Sequence, residues 1–431
     1  MDYRIFPPDG YLEGQMNLPL SKSMSNRALI INALTPGAEP LKQISECDDT
    51  RVLRQALQAS NGDTVNVDAA GTAMRFLTAY FASRPGMTVT IDGTERMRER
   101  PIGPLVETLR SLGADITYAG NEGYPPLTIN GRNLEGGEIE IDATVSSQFV
   151  SAILMIAPFM AKGLTIHLLG EPVSMPYIQM TLKMMDAAGA ETDFYGGDTI
   201  EVAPVPYSRP TLNIEGDWSA AAFAYQIETL AMGEMKINGI TDDSCQGDAA
   251  AQRLWADLGV DTSWEDSDTA TLMPSPECSP RVVEDMTGTP DLVQPLVVTC
   301  VALGIPFRLS GVETLRDKET DRLAALKAEM IKLGCNIEMP AAGVAEWNGR
   351  RMPVTELPVF ETHNDHRMAM SLAPVSLTIP GIIIKDIEVT AKSFPDYWQQ
   401  LEEMGFLLID ASLPIEEVRN ILGIEAEEEE G

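Results

Sequence analysis

The sequence is poor in positive charge. Its 31 lysines and arginines stand against 64 aspartates and glutamates, which gives a net charge of −33. A field of that sign repels nucleic acids and anionic membrane surfaces, so we expect neither as a partner. The apolar runs fall short of the roughly 18 residues that a membrane-spanning helix needs. The N-terminus also lacks the basic and apolar regions of a signal peptide.

Paired cysteines and nucleotide-binding motifs are missing as well. The five cysteines are scattered and none has the CxxC spacing, which argues against a disulfide framework or a zinc site. Reduced thiols predict a cytoplasmic protein. The sequence has no GxxxxGK[ST] phosphate loop and no GxGxxG after a strand pattern, so a nucleotide-binding fold is not indicated.

Apolar residues, by contrast, make up 44% of the 431 residues, enough for buried cores in two or more domains. They recur in a long repeat, in which a pattern of helical period runs to a glycine and an alternating strand pattern follows. Glycine there suits a helix C-cap in the left-handed conformation. A weaker first copy ends at Gly62, 51 residues before the next, and the clear copies are 70 to 76 residues apart. The clear copies end at Gly113, Gly189, Gly259, Gly334 and Gly405.

This repeat predicts an α/β architecture of six similar units, the first of them shortened, and six units divide naturally into two lobes of three. We place the crossings between the lobes at residues 19–20 and 213–217. The N-terminal lobe is then 21–215, and the C-terminal lobe is 1–20 with 216–424. The acidic residues 425–431 are predicted to be a disordered tail. The cleft between the lobes is the expected ligand site.

Polar segments near the unit boundaries carry the residues expected to face this cleft. Ser21 precedes an apolar helix, and the amides of its first turn, with Lys22 and Arg27, attract anions. The small residues around Gly71 permit close approach of a ligand to the backbone, and arginines such as Arg100 match phosphate and carboxylate groups. Taken singly, each segment is explained as well by a capped helix, a tight turn or a solvated loop. The segments are residues 21–27, 68–75, 95–102, 145–149, 290–291, 315–322, 362–370 and 391–395.

Two of these segments predict a proton-transfer group and a directed cation. Lys318 and Arg322 are four residues apart, so on one helix both point the same way, and Glu319 beside them can donate or accept a proton. A metal site at His363 and His366 is weakly indicated, because the spacing is not HExxH and no cysteine is near. A hydrogen-bonded loop that directs Arg367 into the cleft is the better prediction.

In their order and spacing, these segments resemble the signatures of the EPSP synthase family over roughly residues 5 to 410. The resemblance implies the two-lobed enolpyruvyl transferase fold, with three βαβαββ units in each lobe. It implies transfer of the enolpyruvyl group of phosphoenolpyruvate to the 5-hydroxyl of shikimate-3-phosphate, in the shikimate pathway to chorismate and aromatic amino acids. These two small molecules are then the partners, no metal or organic cofactor is required, and we expect a monomer.

The resemblance also implies a role for each matched residue. Asp291 would accept the proton of the attacking hydroxyl. Glu319 would handle the proton at the methylene carbon, and Lys22 would contact both substrates. The shikimate-3-phosphate site would comprise Lys22, Ser23, Arg27, Ser146, Ser147, Gln148, Ser174, Tyr177, Asp291 and Lys318. The phosphoenolpyruvate site would comprise Lys22, Gly71, Thr72, Arg100, Gln148, Arg322, Arg367 and Lys392.

The chain departs from the family pattern mainly at the phosphoenolpyruvate end. Leu20, Ala69, Phe76 and Met175 replace the residues usual there, and the segment before Gly71 is shorter. These changes motivate one alternative, a non-catalytic paralogue.

A second alternative is the UDP-N-acetylglucosamine enolpyruvyl transferase, which has the same fold. That family has Lys-Asn where this chain has Lys22-Ser23, and it has a reactive cysteine on a mobile loop. Residues 98–101 here contain no cysteine, which ranks this alternative lower.

Overall fold

A computed structural model describes residues 1–142, 144, 146–170, 172–208 and 212–423 of the chain. The predicted tail at 425–431 lies outside these described residues. Of the helices in these ranges, none combines the length and apolar character needed to cross a bilayer.

The chain has a mixed α/β fold. Its α-helices are α1 (Lys22–Leu34), α2 (Asp48–Ala56), α3 (Gly71–Ala82), α4 (Glu95–Arg98), α5 (Gly103–Ser111), α6 (Ser147–Ile156), α7 (Met175–Ala187), α8 (Trp218–Ala231), α9 (Ala251–Ala256), α10 (Val293–Leu303), α11 (Arg322–Met330), α12 (His366–Leu372), α13 (Tyr397–Glu403) and α14 (Ile415–Ile421). Short 3₁₀ turns span Ala157–Phe159, Gly247–Ala250, Pro290–Leu292, Glu313–Asp317, Ile331–Leu333, Ala373–Leu377 and Ile387–Lys392.

The strands are short. They are β1 (Tyr3–Phe6), β2 (Glu13–Asn17), β3 (Thr64–Asn66), β4 (Thr88–Asp92), β5 (Asp115–Tyr118), β6 (Leu127–Asn130), β7 (Gly137–Asp142), β8 (Leu164–Leu169), β9 (Thr192–Tyr195), β10 (Thr199–Val202), β11 (Glu234–Asn238), β12 (Val260–Trp264), β13 (Thr269–Pro274), β14 (Val282–Asp285), β15 (Phe307–Ser310), β16 (Ala345–Trp347), β17 (Val359–Phe360), β18 (Ile382–Ile384) and β19 (Leu407–Asp410).

These strands form small mixed sheets that repeat one connectivity. Their orders are β3-β4-β6-β5, β7-β8-β10-β9, β2-β11-β13-β12, β14-β15-β16 and β17-β18-β1-β19. Each sheet starts with a parallel pair and continues with antiparallel pairing. The N-terminal strands complete two of them, because β2 pairs with β11 and β1 lies between β18 and β19. Several sheets of one pattern agree with a chain built from repeated units.

The repeat glycines adopt the predicted backbone conformation. Gly62, Gly113, Gly189, Gly259, Gly334 and Gly405 have φ values of 93°, 98°, 96°, 89°, 75° and 89°. A side chain at such φ angles is strained, so glycine is the residue that adopts them at lowest cost. The left-handed glycine predicted at a helix end is confirmed at Gly113, Gly189, Gly259, Gly334 and Gly405. At Gly62 the prediction is wrong, because α2 ends at Ala56 with Leu57 as its C-cap, and Gly62 lies in the turn that follows.

The strand predicted after Gly334 is wrong in extent. This stretch makes only isolated pairings, Cys335 with Arg351 and Glu338 with Glu346. Pro340 follows closely and has no N–H to donate to a ladder, which explains why the strand does not continue.

The apolar side chains form two separate clusters. One is made of residues between Met24 and Tyr207. The other joins Ile5, Leu12 and Met16 to residues between Trp218 and Phe406. We call them the first core and the second core. The chain passes between them twice, and the two passages lie side by side, because Leu20 bridges Gly216.

Candidate active site

Loops and helix ends from both cores surround one cavity. α1, α3, α6 and α7 reach it from the first core, and α11, α12 and the 3₁₀ turn at Pro290–Leu292 reach it from the second. We call this cavity, with a volume of about 160 Å³, the reaction cleft. All the predicted site residues except Lys392 line it. They are Lys22, Ser23, Arg27, Gly71, Thr72, Arg100, Ser146, Ser147, Gln148, Ser174, Tyr177, Asp291, Lys318, Glu319, Arg322 and Arg367.

Arg322 is the centre of a buried ion network. Its guanidinium bonds to Asp291 at 2.8 Å, Glu319 at 3.0 Å and Asp365 at 2.7 Å. Arg367 contacts the other oxygen of Asp291 at 2.8 Å. The side chain of Arg322 is only 2% exposed, so its charge depends on these carboxylates for compensation. The network joins both predicted proton-transfer groups through one arginine.

The pKa of Asp291 follows from this network. Burial by itself would raise it, but the charges of Arg367, Lys318 and Arg322 outweigh burial and hold the pKa well below its usual range. Asp291 is therefore an ionised carboxylate at neutral pH. It is free of a proton and able to accept one when a substrate hydroxyl replaces one of its arginine partners.

Glu319 has a similar environment on the other side of Arg322. Burial would raise the pKa of Glu319, but Lys392, Arg322 and Arg100 outweigh it and hold the pKa well below its usual value. Lys392 lies 3.3 Å from the carboxylate. Burial lowers the pKa of neighbouring Lys318.

The local structure around Lys318 differs from the prediction. We expected Lys318 and Arg322 to share one helical face, but α11 begins only at Arg322, and Lys318 has an extended conformation after a 3₁₀ turn. The side chain of Asp321 caps α11 by accepting a hydrogen bond from the Ala324 N–H at 3.0 Å. A strong cap at this position starts a new helix and interrupts the predicted one. Both cations still line the cleft.

Lys392 lies just outside the reaction cleft. Its ammonium group donates a hydrogen bond to the backbone oxygen of Ala69 at 3.1 Å. It also lies 4.0 Å from Asp49, whose other oxygen is 3.4 Å from Lys22. Ala69, one of the departures from the family pattern, thus still contributes a contact through its backbone.

Arg27 is held inside the first core. Its nitrogens donate to Thr181 Oγ1 at 2.7 Å, to the Ser23 oxygen at 2.9 Å, and to Ser151 Oγ and the Tyr177 oxygen at 3.3 and 3.2 Å. The ring of Phe76 lies 5.4 Å from its guanidinium carbon. Burial lowers the pKa of Arg27 to about 10. The protein therefore occupies these donors itself, and Arg27 contributes mainly charge to the cleft.

Gly71 lies against two arginines. A Cβ at Gly71 would be 2.5 Å from Nη1 of Arg100 and 2.7 Å from Nη1 of Arg75. The Arg75 guanidinium donates to the Gly71 oxygen at 2.9 Å, whereas the side chain of Arg100 makes no hydrogen bond or ion pair within the described residues. Protein side chains thus lie close to this glycine, and the predicted approach of a ligand to its backbone stays a prediction.

The polar residues at the other end of the cleft are prearranged by caps and turns. Ser146 caps α6 by accepting a hydrogen bond from the Gln148 N–H at 3.3 Å, and the Gln148 amide donates to Thr72 Oγ1 at 3.3 Å. Ser174 has a φ of 58°, in the left-handed region. The Tyr177 hydroxyl donates to Asp248 at 3.4 Å.

Asp248 is buried opposite Tyr177, and the sequence did not single it out. Burial, and then the charge of Asp291, raise the pKa of Asp248 to about 7.

The sequence also missed Asp49, Arg75 and His366 as cleft residues. Arg75 follows the small residues around Gly71, a position that could have suggested it. His366 lies in segment 362–370, for which the sequence indicated only a weak metal site. Burial, with the charges of Lys22 and Arg367, keeps the pKa of His366 well below its ordinary value, so the ring is neutral. No pattern in the sequence marks Asp49.

The loop before Arg367 behaves as predicted. His363 and Asn364 have φ values of 53° and 56°, and Asp365 then caps α12 by accepting from the Arg367 N–H at 2.9 Å. This turn places Arg367 in the cleft.

Fold and site together define a class. The chain has a mixed α/β fold, and elements from both cores line the reaction cleft. Several of its few cations lie there around the buried, ionised carboxylates of Asp291 and Glu319. Such a site suits an enzyme that brings together small polyanionic molecules and moves protons between them.

Comparison with known proteins identifies the family. The model of the EPSP synthase (3-phosphoshikimate 1-carboxyvinyltransferase) family matches residues 53–401, and the chain belongs to this family. It is 45% identical to the 3-phosphoshikimate 1-carboxyvinyltransferase of Bacteroides fragilis strain YCH46 over 407 residues, which cover 94% of this chain and 98% of the relative. It is 35% identical to the protein of the same name from Sulfurovum sp. strain NBC37-1, with 92% and 98% covered.

Solved structures share the fold at much lower sequence identity. An EPSP synthase from Acinetobacter baumannii superposes with a TM-score of 0.75 at 19% identity, covering 95% of this chain and 100% of the other. The enolpyruvyl transferase NikO from Streptomyces tendae gives a TM-score of 0.73 at 15% identity, covering 96% and 99%.

Proposed function

We propose that this chain transfers the enolpyruvyl group of phosphoenolpyruvate to the 5-hydroxyl of shikimate-3-phosphate, releasing phosphate. The observation that carries the proposal is the pair Asp291 and Glu319, joined through Arg322 in a cleft rich in cations. Family membership and the named relatives support the same reaction.

The reaction proceeds by addition and elimination. The hydroxyl oxygen attacks C2 of phosphoenolpyruvate and gives its proton to Asp291, while C3 gains from Glu319 the proton that this carboxylate takes up when phosphoenolpyruvate binds beside its cations. The product of this step is a tetrahedral ketal phosphate. The Glu319 carboxylate then takes a proton back from C3, and cleavage of the C2–O bond to phosphate restores the double bond. The chain supplies orientation, proton transfer and charge compensation.

The cations divide between the two substrates. Arg100, Arg322, Arg367 and Lys392 hold the phosphate and carboxylate of phosphoenolpyruvate, with Gly71 and Thr72 alongside. Ser23, Ser146, Ser147, Gln148, Ser174 and Tyr177 hold shikimate-3-phosphate, and Arg27 contributes its charge to this site. Lys22 bridges the two. The two substrates bring several negative charges into one closed site, and the surrounding cations offset the repulsion between these charges. The acidic exterior focuses the anions on the basic cleft.

We also propose that residues 21–215 and residues 1–20 with 216–424 move as two lobes, each with three βαβαββ units, the first unit being shortened. The separate cores and the repeated sheet pattern support this division. Closure of the lobes on shikimate-3-phosphate would change the X-ray scattering profile, and an unchanged profile would contradict it. We further propose a cytoplasmic monomer, which light scattering and cell fractionation test.

Phosphate release from phosphoenolpyruvate tests the activity. We expect turnover with shikimate-3-phosphate and none with UDP-N-acetylglucosamine. Absence of turnover with both acceptors would refute the proposed reaction. Asp291→Asn should abolish turnover while shikimate-3-phosphate still binds, and the exposed Asp261→Asn should behave as the unaltered chain. Ordinary activity in Asp291→Asn would remove this residue from the mechanism.

A further inference from the structure

A second cavity adjoins the reaction cleft behind its phosphoenolpyruvate end. It has a volume of about 840 Å³, and its lining includes Arg96, Arg100, Arg316, Glu319, His363 and Lys392. We call it the rear cavity. Arg100 and Glu319 line both cavities, so the reaction cleft and the rear cavity meet at these two side chains. The rear cavity thus adjoins the cleft at the residues assigned to the phosphoenolpyruvate end.

The acids that line the rear cavity already have partners. Glu319 pairs with Arg322 and Lys392. Glu388 binds the N-terminal amino group at 2.7 Å. Asp321 caps α11 and Asp48 pairs with Arg51. The charges of Glu319, Glu388 and Asp48 are thus offset by nearby cations, and Asp321 accepts a hydrogen bond from the first turn of α11.

Two of the cations, by contrast, have no partner among the residues that the structure describes. Arg100 is 8% exposed, and its buried Nε donates to no acceptor. Arg316 is exposed and makes neither an ion pair nor a side-chain hydrogen bond within the same ranges. The Glu319 carboxylate is a compensating charge for Arg100, and the unused Nε donor of Arg100 would be satisfied by a further anion. Arg316 gives a second fork farther out.

The two arginines select a phosphate-like anion. Guanidinium forks bind phosphate oxygens in pairs and do so more strongly than neutral donors. The chain carries a net charge of −33, so elsewhere on the surface a phosphate dianion is repelled. The rear cavity, which is lined by two arginines without partners among the described residues, is then a favourable path for that anion.

We propose that the rear cavity binds inorganic phosphate between Arg100 and Arg316 and is the route by which phosphate leaves the reaction cleft. The exit role rests on the proposed function, whereas the binding site does not. In the reaction the C2–O bond to phosphate breaks beside Arg100, and the freed dianion moves to Arg316 without passing the other product.

Phosphate binding without turnover tests the site itself. Calorimetric titration of the unliganded protein with inorganic phosphate should show binding that Arg316→Ala weakens about tenfold and Arg316→Lys weakens less, as expected when a bidentate contact becomes a single one. Arg350→Ala removes an equally exposed arginine away from the cavity and should leave the titration unchanged. Equal phosphate affinity in the Arg316→Ala and Arg350→Ala variants would overturn the site.

Product release tests the route. In a single turnover followed with a phosphate sensor, Arg316→Ala should slow the appearance of phosphate several-fold and leave kcat/KM for shikimate-3-phosphate unchanged. Release at the rate of the Arg350→Ala control would overturn the route. A lower kcat/KM for phosphoenolpyruvate alone would show that the cavity admits the substrate instead, which also overturns it. If the chain turns over neither acceptor, the proposed function fails, and the titration still decides the site.

Discussion

The Gln246 side chain accepts a hydrogen bond from the Ser21 hydroxyl at 2.8 Å, across 225 residues of sequence. Its amide nitrogen donates to the Gly216 oxygen at 2.7 Å and to Glu215 at 2.9 Å. One buried side chain therefore ties together the two passages that connect the first and second cores. Ser21 also caps α1, the helix that carries Lys22, so this link holds a cleft residue in place.

Gln246→Ala should destabilise the protein, because it leaves several polar groups without partners in a buried position. We expect a loss of about 2–4 kcal/mol in the free energy of unfolding, measured by urea denaturation. Gln399→Ala, which removes an exposed glutamine, is the matched control and should cost under about 0.5 kcal/mol. Similar losses in the two variants would contradict the link.

Gly71→Ala should weaken phosphoenolpyruvate binding selectively. The new Cβ would meet the guanidinium groups of Arg100 and Arg75 and push them from their positions. We expect KM for phosphoenolpyruvate to rise about tenfold or more, because a displacement near 1 Å already disturbs a positioned contact. KM for shikimate-3-phosphate should stay the same. Gly120→Ala, whose nearest neighbour would lie 3.5 Å away, is the control, and equal constants in both variants would refute the argument.

Phosphoenolpyruvate binding should be accompanied by proton uptake at Glu319. In the free protein Lys392, Arg322 and Arg100 outweigh burial and depress the pKa of this carboxyl. A bound polyanion neutralises the same cations, so the pKa rises and the carboxyl takes up part of a proton. Calorimetry near pH 6 in buffers of different ionisation enthalpy measures this. Glu319→Gln should abolish most of the uptake, and equal uptake in the variant would assign the proton elsewhere.

Glu228→Gln should remove a pH dependence of stability. The carboxyl group of Glu228 is buried in α8, and burial outweighs the contact with the Gly233 backbone N–H and raises the pKa of Glu228 to about 7. A raised carboxyl pKa stabilises the fold below the unfolded pKa near 4.3 and loses that contribution as the pH rises through 7. The variant should therefore gain about 2 kcal/mol over the unaltered chain between pH 5 and pH 8 in urea denaturation.

Glu39→Gln, which removes an exposed carboxyl elsewhere on the chain, is the control for this prediction and should leave the pH profile as it is. If the stability of Glu228→Gln depends on pH in the same way as that of the unaltered chain, the carboxyl of Glu228 is ionised in the folded protein, and the prediction is wrong.

The repeat could be predicted from sequence because its signal is local. A glycine such as Gly113 or Gly405 ends a helix through its own φ angle, and the neighbouring apolar pattern shows where the helix stops. The same locality explains why Ser21 was recognised as a cap. The sequence did not predict the break before α11. The same residues are compatible with a continuous helix through Lys318 or with a new helix capped by Asp321, and tertiary packing decides between the two.

The candidate site could be collected from sequence only through the ordered series of motifs. That series identified residues that line the reaction cleft, but it did not show which side chains form hydrogen bonds or ion pairs with one another. It could not show that Arg27 turns into the first core, that Asp49 bridges Lys22 and Lys392, or that Arg100 is left unpaired. These contacts join residues far apart in the chain, and no spacing rule covers them.

By itself, then, the sequence determined the helix ends, the repeated units, the charge balance and the family, because each is set by local residue types or by their order. Only the tertiary structure decided the ionisation of Asp291 and Glu319, the link through Gln246 and the rear cavity. The physical reason is distance. Hydrogen bonds and ion pairs act over about 3 Å, and only the packing of the two cores brings atoms from distant segments that close.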